Sequence, residues 1–375
     1  MMPKISKYPP IPSPEPIGSY KQSDVVFLLK NIGNYIKEQP NEERLLKMQS
    51  GTHYSQMLPV EYEPAAQYLA LFDLSMAKNR DRLSFITAAV AETILQKHGQ
   101  KVVLASLARA GTPAGILIAR YLQEIYQLRL PHYSLSIIRD KGIDKNALIY
   151  ILQNHPQAKI QFVDGWTGKG AISWELIQSI QSFQAEFGPL PNLAPTLAVL
   201  ADPGRCADIY GTCDDFLIPN ACLNSTVSGL ISRTVYREEL IGSLDFHGAK
   251  FYAELKAKDL SAYFIETIAQ GFLQAREAYL KDANINYGLR ENIAWSGQKE
   301  AARLQKEFGI ADINNLKPGV GETTRSLLRR VPWKILVKDK NHPDIAHILY
   351  LAQERQTKIE VYPELSCYLC CALIK

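Results

Sequence analysis

Cysteine is scarce in this sequence: there are six in 375 residues, at positions 206, 213, 222, 367, 370 and 371. So few, so unevenly placed, do not make a disulfide framework. Long apolar runs are missing as well. The longest uncharged stretch, Phe216 to Ser232, holds Pro219, Asn220, Asn224, Ser225 and Thr226, a polar density that no membrane span accepts. The first sixteen residues carry six prolines and no apolar run. The expectation is therefore a chain without a signal peptide, cytoplasmic, with reduced thiols. A strong excess of one charge is absent too, the net being +4, and with 46% hydrophobic residues large-scale disorder is excluded. What remains is a globular protein with a sizeable core and room for two or three domains.

The small charge surplus is unevenly spread. Residues 317–375 hold ten Lys/Arg against six Asp/Glu, which leaves 32 of each sign in the rest of the chain. A basic tail on a neutral body points to a polyanion partner there. The tail's pattern restarts after Pro318-Gly319: a helix over 322–330, a strand at 335–337, a helix over 344–355, and strands at 359–361 and 368–374. Upstream, a helix over 65–98 precedes four apolar runs (102–107, 133–138, 160–163 and 196–201) separated by helical patterns. Short buried runs about a helix apart imply βαβ units and a parallel sheet. Residues 259–280 read as one long amphipathic helix, and 296–304 as another. The expected division is an extended Pro-rich arm (1–40), an α/β domain (41–285), a helical linker (286–317) and a small α/β domain (318–375).

Two strand-end loops have the makings of an anion site. In Ser106-Leu-Ala-Arg-Ala-Gly-Thr-Pro-Ala-Gly115 a strand runs through Arg109, Ala110 and Gly111 into a helix whose free amides face the loop. In Val163-Asp-Gly-Trp-Thr-Gly-Lys-Gly-Ala171 an acid closes the strand, and three glycines wrap a turn with Thr167 and Lys169. Neither is a Walker A loop, since Val163 and Gly170 stand where Gly and a hydroxyl are needed, and neither has the Rossmann glycine spacing. The second loop resembles type I phosphoribosyltransferases, whose strand ends in an acidic pair and a short loop. Here Gly165 stands where the second acid would be.

That resemblance implies a phosphoribosyltransferase-like parallel sheet with added helical elements. Asp164 would hold the ribose hydroxyls of phosphoribosyl pyrophosphate as the catalytic residue. Thr167, Gly168, Lys169 and Gly170 would cradle its 5′-phosphate, with Gly165 in the same substrate-binding set, and Arg109, Ala110 and Gly111 its pyrophosphate, with Mg2+ carried by the substrate. Longer motifs narrow the likeness: Gly51-Thr-His-Tyr-Ser-Gln-Met-Leu58, Ser136-Ile-Ile-Arg-Asp-Lys-Gly-Ile-Asp144 and Asp214-Asp-Phe-Leu-Ile-Pro-Asn-Ala-Cys-Leu-Asn-Ser-Thr226. Together they resemble the phosphoribosyltransferase-like proteins of bacterial tellurite-resistance stress gene clusters, some of which bear a cysteine protease label. Arg139, in the second motif, joins the expected substrate-binding set. The function implied is ribosyl transfer in a stress pathway, to an acceptor that the likeness does not name.

Two other readings compete. A non-catalytic RNA-binding protein could sense a ribosyl phosphate, or Cys222 could act with His247 as the nucleophile and base of a cysteine peptidase. Cys222 sits in Pro-Asn-Ala-Cys-Leu-Asn with no protease signature around it, which favours packing. Asp208, Asp214 and Asp215 with Cys206 and Cys213 match no metal spacing, and Cys367, Cys370 and Cys371 lack a second pair for zinc. In the tail, Gly319-Val-Gly-Glu-Thr-Thr-Arg325 resembles the signature of the small RNA-binding domain shared by pelota and kink-turn ribosomal proteins. Glu322 and Arg325 match it, and Gly321 replaces its Asn. Gly321, Glu322, Arg325 and Arg329 are the RNA-binding residues this implies.

Overall fold

The computed structural model describes residues 4–282 and 287–375; the expected domain boundary between residues 285 and 286 lies outside them. A path of seven strands forms the main sheet: β1 (Val26–Leu28), β2 (Val102–Ala108), β3 (His132–Ile138), β4 (Lys159–Trp166), β5 (Leu193–Ala201), β6 (Ile209–Thr212) and β7 (Gly288–Leu289). Their order is β1-β3-β2-β4-β5-β6-β7, with Gly142–Ile143 added antiparallel beside β3. All neighbours on this path are parallel except β6 and β7. In β2, Val102 to Leu107 are all buried, as an inner parallel strand covered on both faces requires. Ser106 lies opposite both Ser134 and Val163, so β2 and β4 end side by side.

Helices cover both faces. The 33-residue α1 (Ala66–His98) ends at Gly99, whose φ of +64° stops it. It packs with α2 (Gly111–Tyr126) on one face, while α3 (Lys145–Asn154) and α4 (Ala171–Phe187) cover the other. Asp144 caps α3 by accepting from Ala147 N at 3.1 Å. The helix after β2 starts at Gly111, five residues earlier than its apolar pattern suggests. The single helix expected over 259–280 is two, α5 (Ser261–Ala269) and α6 (Phe272–Lys281). The break meets α1: the Ser84 hydroxyl donates to Ile268 O at 2.6 Å, and a Cβ at Gly271 would meet that hydroxyl at 2.6 Å.

After α7 (Ser296–Glu307), the C-terminal module forms a four-stranded sheet from β8 (Leu316–Pro318), β9 (Lys334–Val337), β10 (Lys358–Val361) and β11 (Cys370–Leu373), in the order β8-β11-β9-β10. Helix α7 packs on one face of it. The other face carries α8 (Val320–Arg329) and α9 (Ala346–Glu354), whose apolar side chains Val320, Leu327 and Ile348 continue the core of the main sheet. The module is thus docked on the body through a shared apolar layer. Among the described residues no helix is long and apolar enough to cross a membrane.

Candidate functional site

The two strand-end loops meet as the parallel register demands. Gly111 opens α2 so close to β4 that a Cβ there would lie 2.4 Å from Val163 O. Asp164 is held inward, its Oδ1 accepting from Gly165 N at 2.7 Å. Burial pushes its carboxyl up to about 7 against that bond. The loop that follows spends its polar groups on the protein itself. Thr167 donates to Asp202 at 2.6 Å, and Asp202 also takes Arg290 at 2.5 Å. Lys169 Nζ donates to Ile313 O at 2.6 Å, and Gly168 O accepts from the Tyr368 hydroxyl at 3.1 Å. Gly170, at φ +81°, caps α4 with Trp295 and Cys206 against it. An open phosphate cradle at Thr167–Gly170 is not what the fold builds. The loop is a joint that the C-terminal module closes.

The residues expected to bind RNA face that joint. Gly321 lies over the body, where a Cβ would meet Ala221 at 3.7 Å and the Trp166 indole at 3.8 Å. Between them is a crevice of about 10 Å³, lined also by Asp215 and Glu322, with room for no more than a water. Further along α8, Arg329 donates to Asn224 Oδ1 at 2.6 Å, and Arg109 donates to the same oxygen at 3.0 Å. Repulsion from Arg325, then burial, then Arg109 lowers the Arg329 guanidinium to about 9. Lys169 is lowered to about 8 by burial and by Lys317 and Arg139. Arg233, one of the polar residues after Cys222 that the sequence offers for binding a substrate or closing a lid, is lowered to about 10 by burial and by Arg44, Arg109 and Arg139. Arg139, in contrast, is tied to Asn314 at 2.5 Å and lies 5.6 Å over the Tyr54 ring.

The pair of the alternative peptidase reading, Cys222 and His247, is not assembled. Cys222 is 2% exposed among core residues, and burial pushes its thiol up to about 12. His247 is committed elsewhere: Nδ1 faces the Ser136 hydroxyl at 2.9 Å and its backbone N–H donates to Asp144 at 2.5 Å. Among the described residues no thiol is hydrogen-bonded to an imidazole, and no cluster of His, Cys, Asp or Glu could hold a metal ion. A different cysteine is accessible. Cys213, just beyond β6, is half-buried and lines a groove of about 310 Å³ shared with Arg82, Arg205, His342 and Cys367. Arg290 donates to its sulfur at 3.4 Å. Burial and Asp202 raise the thiol, while Arg290 and Arg205 oppose them.

Residues 18–269 match the family model described as "Tellurite-like stress resistance cysteine protease StiP". The chain belongs to that family. Residues 295–375 match the model of the PELOTA RNA binding domain, which is the C-terminal module. A relative named "Cysteine protease StiP", from Acinetobacter baylyi, is 37% identical over 356 residues, covering 92% of this chain and 90% of its own. A crystal structure of a hypothetical protein from Neisseria gonorrhoeae with bound ppGpp is 16% identical and covers 32% of this chain and 68% of that one. Its TM-score is 0.21, too low for any argument.

Membership in the StiP family overturns the transferase reading. Both the family and the Acinetobacter relative are named as cysteine proteases, not as glycosyltransferases. Phosphoribosyl pyrophosphate, with the magnesium it would bring, loses its basis as substrate. The geometry agrees physically, because the loop meant to cradle the 5′-phosphate donates to Asp202 and to backbone carbonyls instead. The stress-resistance and RNA-binding parts of the expectation stand with the two families.

Proposed function

We propose that the protein is a cysteine peptidase of the StiP family acting from Cys213, with an RNA-binding module docked beside its groove. One observation supports this assignment of the nucleophile. Of the three cysteines inside residues 18–269, Cys206 and Cys222 are buried, and only Cys213 opens to a groove that also holds an imidazole, that of His342. A thiol attacks a peptide carbonyl as the thiolate, so it needs a cationic donor at sulfur and a base to take the proton. Arg290 supplies the first at 3.4 Å. His342 is the groove's candidate for the second, and it lies on the module, so the site would be completed by the docking of the two parts. Burial and Asp202 raise the Cys213 thiol, and Arg290 and Arg205 oppose them. The sheet, akin in this reading to a type I phosphoribosyltransferase scaffold, would serve as a frame for that junction.

The test is peptide hydrolysis and alkylation by iodoacetamide, followed by mass spectrometry, on Cys213→Ser, Cys222→Ala and His342→Ala. Cys213 should alkylate first, and Cys213→Ser should lose hydrolysis by at least about a hundredfold, as removal of a covalent nucleophile does. Cys222→Ala should stay within a few-fold of wild type. Activity that survives Cys213→Ser and vanishes in Cys222→Ala would move the nucleophile to Cys222.

A further inference from the structure

The cations around α8 do not end with the module. Arg325 makes no hydrogen bond or ion pair among the described residues. Arg329 and, across the junction, Arg109 reach the same acceptor, the neutral amide oxygen of Asn224, at 2.6 and 3.0 Å. Two guanidinium groups sharing one uncharged oxygen occupy the geometry in which a phosphate oxygen would be a far stronger partner. The nearest carboxylate to Arg109 is that of Glu61, at 3.8 Å, and its other oxygen is already engaged by the Ser225 N–H and hydroxyl at 2.9 and 2.8 Å. Arg233 continues the row on the body side, lying 4.9 Å over the Tyr54 ring, with Arg139 on that ring at 5.6 Å. Burial, then Arg44, Arg109 and Arg139, lowers the Arg233 guanidinium, and Arg325, then burial and Arg109, lowers that of Arg329, so these cations sense one another across the junction.

The geometry points to an RNA phosphate track that crosses the junction, held by Arg109 and Arg233 of the body together with Arg325 and Arg329 of the module. This rests on the RNA-binding reading of the module and extends it to residues of the other part. RNA is the occupant favoured because the cations are spread over both parts of the chain, as a run of successive phosphates requires. A single small phosphate would use only two or three of them.

The experiment is fluorescence anisotropy on the full chain with a labelled 20-nucleotide single-stranded RNA and a hairpin of equal length, from about 50 to 300 mM salt. Arg233→Ala and Arg325→Ala should each weaken binding about three- to tenfold at 0.1 M salt. Each should also lower the log–log salt slope by roughly 0.7–0.9, as loss of one phosphate contact does. Arg233→Lys, which keeps the charge, should bind within about twofold of wild type and so separate contact from misfolding. If Arg233→Ala binds like wild type while Arg325→Ala is weakened, the module binds RNA alone and the shared track is overturned. If wild type binds neither RNA, the RNA reading itself falls. Displacement of bound RNA by micromolar inorganic pyrophosphate would also overturn the track, in favour of a small-phosphate site.

Discussion

Asp215 shows how much one side chain decides here. Its two carboxylate oxygens accept from Val320 N and Leu369 N, each at 2.8 Å, and so tie the start of α8 and the approach to β11 to the body. Burial raises its carboxyl from the ordinary 3.8 to about 7, so the folded protein binds this proton more tightly than the unfolded chain does. Its contribution to stability is then full below about pH 4 and is lost as pH rises through about 7. Asn at this site has one acceptor oxygen and presents an N–H2 to the other backbone donor. Asp215→Asn should cost about 1–3 kcal/mol, the price of an unmet buried donor. Melting temperatures from pH 5 to 8 check both points: the variant should be less stable throughout, and its stability should fall less steeply with pH. Equal slopes in the two proteins would mean that Asp215 does not titrate in this range. The sequence offered Asp215 only as a solvated loop acid, because nothing local to Asp214-Asp215 shows that α8 and β11 will end against it.

At the level of elements, much was legible. The apolar runs at 102–107, 133–138, 160–163 and 196–201 each became a strand of the parallel sheet, since burial on both faces leaves a mark that composition alone reveals. The expected helix over 65–98 is α1. What the pattern misjudged depended on distant partners. Ser84 reaches across from α1 to meet the break in the helix expected over 259–280, and Gly111 starts α2 early because β4 lies against it. The glycine loops were read as open anion sites because their composition is the same whether a ligand or a Tyr hydroxyl fills them; here Tyr368 reaches Gly168 O. Gly111→Ala tests the close approach of α2 to β4. A methyl 2.4 Å from Val163 O forces the two elements apart, so the variant should lose about 1–3 kcal/mol in urea unfolding, as overpacked interiors do. An unchanged midpoint would mean that the helix start can shift freely.

For the whole molecule, the decisive feature is that the α8/α9 face of the module shares one apolar layer with the body, while its other face closes under α7. Phe216, Ile218, Ala221, Cys222 and Leu223 of the body belong to the same core as Val320, Leu327, Ile335 and Ile348 of the module. The polar contacts that surround this layer are directional: the Tyr68 hydroxyl donates to Leu328 O at 2.6 Å, and Asp344 takes Lys78 at 2.6 Å and Arg82 at 3.4 Å. The exposed ion pairs add little by themselves, about 0–1 kcal/mol each, so burial dominates the docking. Two parts joined by an apolar interface unfold together when the interface is a large share of each core. The full chain should therefore melt in one calorimetric transition that changes little between 0.1 and 0.5 M salt. A chain ending at residue 317 should expose the Phe216–Leu223 face, bind a hydrophobic dye and melt earlier. It should also lose Cys213 chemistry, since His342 and Cys367 leave the groove with the module. Two resolved transitions in the full chain, or a truncated chain as stable as the whole, would show that the body's core closes without the module.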